Sequence, residues 1–358
     1  MIWVGSAVIA AVVLLTIAFV WLLYLHVLRR YLDVLLRVFQ ERPLFIIPAG
    51  QPVEQSEEVV FGTADGLNLR GCYLRGRSWR RMGVILFGLE FGSTRWACVP
   101  YCDFLLDNGF DVFAFEPRGQ GESDPQPGYE PMQWVTHFEV QDMQAALTYL
   151  KARAGSPGRI GFFGISKGAC AGLMAASREP FVRCFVTDGV FATRTTMIPY
   201  MQKWVKIFSD RFWMQRLLPR WFFGMIADGT LRVLRRRSGW RFPHLESSLK
   251  RLAPRPLLMI HGGADTYIKP EMARELFELA HTQKELWVVD GAKHNQALAI
   301  AGDEYRRRVL NFFLEHLVSD EEPAPREQEA AASRNGDATQ APVSGRNGSS
   351  REPIAGGR

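Results

Sequence analysis

One serine, one aspartate and one histidine stand in an order that could carry acyl-transfer chemistry. The serine lies in Gly164-Ile165-Ser166-Lys167-Gly168, a G-x-S-x-G pattern. An apolar run, Arg159 to Phe163, precedes it and a small-residue segment, Ala169 to Ser177, follows. That context predicts strand, sharp turn and helix, with Ser166 held exposed at the tip of a nucleophile elbow. Glycine on both sides lets the backbone turn without a Cβ clash. The helix that follows aims its positive end and its free backbone N–H groups at the same spot, where a tetrahedral oxyanion would need donors. A serine hydroxyl also needs a base to take its proton and an acid to orient that base.

Both partners are found downstream, each just after an apolar strand. Leu257-Leu258-Met259-Ile260-His261-Gly262-Gly263-Ala264-Asp265 reads as a buried strand ending in a glycine-rich loop that presents Asp265. Leu286 to Val289 is a second short strand, and Asp290-Gly291-Ala292-Lys293-His294-Asn295 presents His294. The remaining histidines fit the role of base less well. His261 ends a strand, His137 and His281 sit on expected helices, His244 lies in a long insertion, His26 in an apolar N-terminal segment and His316 in the last helix. The competing acid is Asp188, at the end of the strand Val182 to Asp188.

The order Ser, Asp, His, with the partners after strands, resembles the α/β-hydrolase fold. The resemblance extends over about residues 55 to 318. Val59 to Leu74 looks like the opening hairpin, Met82 to Phe87 like the third strand, and Phe110 to Ser123, with Arg118-Gly119-Gln120-Gly121-Glu122-Ser123, like a strand followed by an R-G-x-G-x-S signature. Within the superfamily the chain looks closest to the monoglyceride-lipase and serine-aminopeptidase-like group. The resemblance implies a mostly parallel central sheet with helices on both faces. It implies Ser166 as nucleophile, His294 as base and Asp265 as orienting acid. The backbone N–H groups of Leu89 and Lys167 are the implied oxyanion donors. The chain departs from the family where His-Gly usually follows the third strand: here it is Phe87-Gly88. A backbone donor survives that change, but Glu90 then stands beside it, and its direction decides whether it opposes an oxyanion. Glu116 and Arg118 are expected to tie the loop after the fourth strand. The Lys167 side chain, at the mouth of the site, would favour anionic substrates.

The 358 residues, 47% of them hydrophobic, suffice for one catalytic domain with a large core and appendages. Ile2 to Leu28 contains no Asp, Glu, Lys or Arg and exceeds the roughly 20 residues needed to cross a bilayer. The alternative is a cleaved signal peptide, but the segment lacks a basic start and a small-residue cleavage site. Residues 1–28 are therefore expected to be a transmembrane anchor, and 29–54 a juxtamembrane linker or amphipathic helix. Arg29, Arg30 and Arg37 follow the span, which by the positive-inside tendency puts the domain in the cytoplasm. The five cysteines, Cys72, Cys98, Cys102, Cys170 and Cys184, have no metal-ligand spacing and are expected as buried free thiols. No metal, dinucleotide or other cofactor motif is present, so no cofactor is implied. Residues 319–358, without an aromatic residue, are expected to be a disordered tail.

Roughly seventy residues separate the strand ending at Asp188 from the next near Pro256, far more than an ordinary connection. In this fold such an insertion, at about 191–250, looks like a cap. Trp204, Phe208, Phe212, Trp213, Leu217, Leu218, Trp221, Phe222, Phe223, Met225 and Ile226 recur at near-helical spacing, with Lys203, Lys206, Arg211, Arg216 and Arg220 among them and Arg232, Arg235, Arg236, Arg237 and Arg241 after them. The aromatics are either the cap's own core or a surface meeting lipid, with the arginines on anionic headgroups. Most of the net charge of +6 comes from these arginines, and no nucleic-acid motif accompanies them. The expected activity is cleavage of a carboxylic ester or thioester, of a fatty-acyl or lipid substrate at a membrane. The alternatives are a serine peptidase or acyltransferase on the same residues, or a non-catalytic binding protein on a hydrolase scaffold.

Overall fold

The computed structural model describes residues 2–40, 50–154, 160–208 and 218–318. The expected tail at 319–358 lies outside them, as do Phe212, Trp213 and Leu217 of the insertion and the side chains of Trp204 and Phe208.

Eight strands form one sheet: β1 (Glu57–Gly62), β2 (Asn68–Leu74), β3 (Gly83–Gly88), β4 (Phe110–Phe115), β5 (Ile160–Ile165), β6 (Val182–Asp188), β7 (Leu257–Gly262) and β8 (Lys284–Val289). Their order is β1-β2-β4-β3-β5-β6-β7-β8. β1 and β2 make the antiparallel hairpin, β2 joins β4 antiparallel, and every other pairing is parallel. The central strands are buried along their whole length, as a parallel sheet covered on both faces requires. Alternation then divides them: Val84, Leu86 and Phe162 join one apolar layer, Ile85, Phe87 and Phe163 the other.

Helices cover both faces. α2 (Cys98–Asp107) and α9 (Ala297–Leu317) pack with the Phe87 layer; α3 (His137–Ala154) and α4 (Ser166–Ala176) pack with the Phe162 layer. α8 (Pro270–Leu279) follows β7. All five cysteines are free and buried, including Cys98 and Cys102 one turn apart on α2.

Between β6 and β7 the insertion folds as α5 (Thr193–Phe208), α6 (Arg220–Ser238) and the short α7 (Leu245–Leu249). Its described aromatics differ in burial. Phe222, Phe223 and Ile226 are core; Trp221 is exposed, as are Arg235, Arg236 and Arg237 at the other end of α6.

The N-terminal helix extends past the expected anchor at 1–28 into the segment expected as a linker or amphipathic helix, of which 41–49 lie outside the described residues. α1 runs without a break from Ile2 to Gln40. The reason is an apolar stripe that continues through the charged region: Val20, Leu23, Tyr24, Val27, Leu28, Leu32, Leu35 and Leu36 recur at helical spacing and pack against the core, while Arg29 and Arg30 face outward. Tyr24 and Leu28 lie against Gly229 of α6, where a Cβ would come within 2.4 Å of the Tyr24 hydroxyl. Among the described residues α1 is the one helix long and apolar enough to cross a membrane.

Candidate active site

Ser166 follows β5 and opens α4 with φ +50, the left-handed region that L-residues enter at a cost. The flanking glycines serve a different need, close approach. A Cβ on Gly164 would sit 2.6 Å from the Ala169 backbone, and one on Gly168 would sit 2.2 Å from the Gly88 carbonyl carbon. Glycine at 88 and 168 thus lets the loop after β3 press its backbone onto the start of α4. That contact brings Leu89 to the elbow. Among the described residues, no acceptor takes the backbone N–H of Leu89 or of Lys167.

The three predicted side chains meet although they are up to 128 residues apart in the chain. Ser166 Oγ lies 2.9 Å from His294 Nε2. His294 Nδ1 lies 2.6 Å from Asp265 Oδ2. The other carboxylate oxygen, Asp265 Oδ1, accepts from the backbone N–H groups of Tyr267 at 2.8 Å and Ile268 at 2.9 Å, which fixes the carboxylate's plane. The network assigns the proton of His294 to Nδ1, so Nε2 accepts from the serine hydroxyl. Such a chain can take a proton from an attacking hydroxyl and return it to a leaving group.

Asp188 does not reach His294. It is buried at the end of β6 and accepts from the Tyr305 hydroxyl at 3.0 Å; burial pushes its pKa up to about 7. His261 is structural: its Nε2 donates to the Ile268 carbonyl at 2.6 Å, shaping the loop that holds Asp265, and burial lowers its pKa. Glu116 and Arg118 tie the loop after β4 as expected. Glu116 accepts from the Arg95 backbone and guanidinium, and the fully buried Arg118 pairs with Asp142 at 2.6 Å and Asp65 at 2.7 Å.

Two side chains depart from expectation. Lys167 is not at the mouth of the site. It turns inward, and its Nζ donates to the Met132 carbonyl at 2.6 Å and to Glu139 Oε1 at 2.8 Å. Burial alone would raise the Glu139 pKa, but the Lys167 ammonium and hydrogen bonds from Tyr129 and Thr136 hold it below the usual range. Thr136-His137-Phe138-Glu139 was a legible sign of this glutamate's place. It is a capping box, and the Thr136 N–H donates to Glu139 Oε2 at 2.8 Å. Glu90 also turns inward, where Asn295 Nδ2 donates to its Oε2. Burial pushes the Glu90 pKa up to about 7.

The walls around Ser166 and His294 include Phe91, Trp134, Phe191, Tyr200, Tyr267 and Ile268. They are mostly aromatic, and the free space between them, about 20 Å³, admits little more than one water. Among the described residues no group of three or more His, Cys, Asp or Glu side chains is arranged to hold a metal ion.

A family model described as the alpha/beta hydrolase fold matches residues 84–223, from β3 through the elbow into the cap. The chain is 26% identical over 271 residues to YfhR, an uncharacterized protein of Escherichia coli O157:H7, covering 73% of this chain and 82% of that one. It is 24% identical over 280 residues to the acyltransferase drtE of Aspergillus calidoustus, covering 68% and 89%. Among solved structures it is similar to the Pyrococcus furiosus esterase Pf2001, with TM-score 0.56 and 23% identity over 78% of this chain and 98% of that one, a likeness of fold. Sheet order and the matched model together show the α/β-hydrolase fold.

Proposed function

We propose that this protein is a membrane-anchored serine hydrolase that cleaves a carboxylic ester or thioester of a fatty-acyl or lipid substrate. The observation that carries the reading is the unbroken relay from Ser166 Oγ through His294 to Asp265, with Ser166 held at φ +50. Ser166 Oγ attacks the acyl carbonyl while its proton passes to His294 Nε2. Asp265 holds the Nδ1 proton and stabilises the imidazolium. The N–H groups of Leu89 and Lys167 receive the oxyanion. His294 then protonates the leaving alcohol or thiol, and a water deprotonated by the same imidazole releases the acyl group from Ser166. The aromatic walls favour an apolar acyl chain. The uncharged stretch of α1 supports the anchor, and the arginines after it support a cytoplasmic domain. Digestion of the domain by protease added to intact cells would reverse that orientation.

Acyl transfer to an alcohol or amine is the second reading, favoured by the relative named an acyltransferase. It uses the same acyl-enzyme and differs in the final acceptor. The test of both is labelling of the full-length protein with a fluorophosphonate probe. Ser166→Ala is expected to abolish labelling and to lower turnover by several orders of magnitude, with the melting curve retained. Near-normal turnover in that variant removes the mechanism. A panel of acyl donors with and without a competing acceptor separates hydrolysis from transfer.

A further inference from the structure

α1 is two things along one axis. Every residue from Trp3 to Phe19 is exposed, and from Val20 onward one stripe packs on the domain. The exposed part is about 26 Å long at 1.5 Å per residue, close to the roughly 30 Å hydrocarbon thickness of a bilayer. No linker separates it from the docked part, because the helix is continuous. At the boundary stand Trp21 and Tyr24, stacked with ring centroids 5.2 Å apart, the residue types that favour the membrane–water interface.

The docked part sets the register against the cap. Gly229 of α6 lies against Tyr24 and Leu28, and eight residues on, Arg237 pairs with Asp33 at 3.6 Å. The contacts advance in the same direction on both helices, so the axes run side by side and parallel. Counting back from Gly229, Trp221 stands about 12 Å nearer the N-terminal end of α1. That puts it level with about residues 16 to 20 of α1, at the end of the exposed stretch. Trp221 is 55% exposed there. Arg235, Arg236 and Arg237 stand about 20 Å farther from that boundary by the same rise.

We infer that the N-terminal end of α6, with Trp221 at its tip, sits in the headgroup layer of the bilayer that α1 spans. The Arg235–Arg237 cluster stands clear of it. This rests on the proposed anchoring and adds a seat: the docked half of α1 fixes the cap against the membrane surface, so the domain does not hang from a flexible tether. An exposed indole is suited to the headgroup layer. At about 20 Å the arginine cluster lies beyond two Debye lengths at physiological ionic strength, too far to draw on anionic lipid.

The experiment uses full-length protein in vesicles of phosphatidylcholine and phosphatidylglycerol, some carrying a lipid-borne quencher at headgroup depth and some at mid-chain depth. The five native cysteines are buried, so a fluorophore can be placed at one added cysteine. Val8→Cys reports the anchor, Trp221→Cys the tip and Arg236→Cys the far end. All three positions are exposed, so melting curves should match wild type. The expected result is quenching of Val8→Cys by the mid-chain lipid. Trp221→Cys should be quenched by the headgroup lipid several-fold more than Arg236→Cys, which stays open to aqueous iodide. An unquenched Val8→Cys removes the anchor and this seat with it. A quenched Val8→Cys with Trp221→Cys behaving like Arg236→Cys leaves the anchor standing and overturns the seat.

Discussion

Asn295 donates from Nδ2 to the buried carboxyl of Glu90. Each is the immediate neighbour of a candidate catalytic group: Asn295 follows His294, and Glu90 follows Leu89. The bond therefore joins the loop of His294 to the loop of the proposed oxyanion donor Leu89 across 205 residues of chain. Asn295 holds φ +57, a conformation asparagine tolerates better than most residues.

That bond predicts a pH dependence. Burial raises the Glu90 pKa from 4.5 to about 7, so the group is neutral below that pH and anionic above it. An anion beside the oxyanion site opposes the developing charge. Turnover should therefore fall as pH rises through about 7, and Glu90→Gln should lose that limb while keeping the bond to Asn295. Stability runs the same way. A carboxyl with a raised folded pKa contributes most below its unfolded value, and its contribution is lost as pH rises from 4.5 toward about 7. Asp188, also raised to about 7, adds in the same direction. A kcat profile of Glu90→Gln superimposable on wild type would dismiss the carboxyl's part.

The orienting acid is tested by pairing two variants. Asp265→Asn should cost about 10⁴-fold in kcat, because the imidazole loses the carboxylate that selects its tautomer. Asp188→Asn should change kcat little, since its partner is the Tyr305 hydroxyl. Steady-state kinetics giving the reverse ranking would transfer the role to the end of β6.

Lys167 carries a structural prediction separate from its backbone N–H. Its ammonium and Glu139 are both buried. Lys167→Met should strand a buried carboxylate and cost about 3–5 kcal/mol, and adding Glu139→Gln should restore much of that. Urea unfolding of the single and double variants measures both. A single variant as stable as wild type would mean the pair contributes nothing.

The two halves of α1 should respond differently to truncation. Removing residues 1–19 takes the exposed stretch Trp3 to Phe19 and should leave a folded, monodisperse domain. Removing residues 1–40 also strips Tyr24 and Leu36, both buried, and uncovers the groove at Gly229. Each such side chain is worth roughly 1.5–3 kcal/mol of burial, so the shorter domain should melt lower or aggregate. Equal melting temperatures for the two truncations would show that the docked stripe contributes no stability.

The mostly parallel sheet came from the family resemblance and its strand order only from the structure, while the sequence by itself marked the strands, the elbow at Ser166 and the loops bearing Asp265 and His294. Each is announced locally, by an apolar strand running into glycine-rich turn chemistry, and local patterns survive without knowledge of distant neighbours. The glycine-rich loop after β7 and the family resemblance favoured Asp265 over Asp188, both at strand ends; the structure adds that His294 Nδ1 lies against Asp265 while Asp188 bonds Tyr305. The inward turn of Glu90 and Lys167 was decided only in three dimensions, because a charged side chain goes inside only where a partner waits. Those partners, Asn295 and Glu139, stand 205 and 28 residues away. α1 teaches the same lesson at larger scale. Its charges at Arg29 and Arg30 mark an end to the uncharged span, yet the helix continues to Gln40. What extends it is a stripe of apolar side chains that finds its covering surface on α6, and sequence spacing reveals such a stripe without naming what it meets.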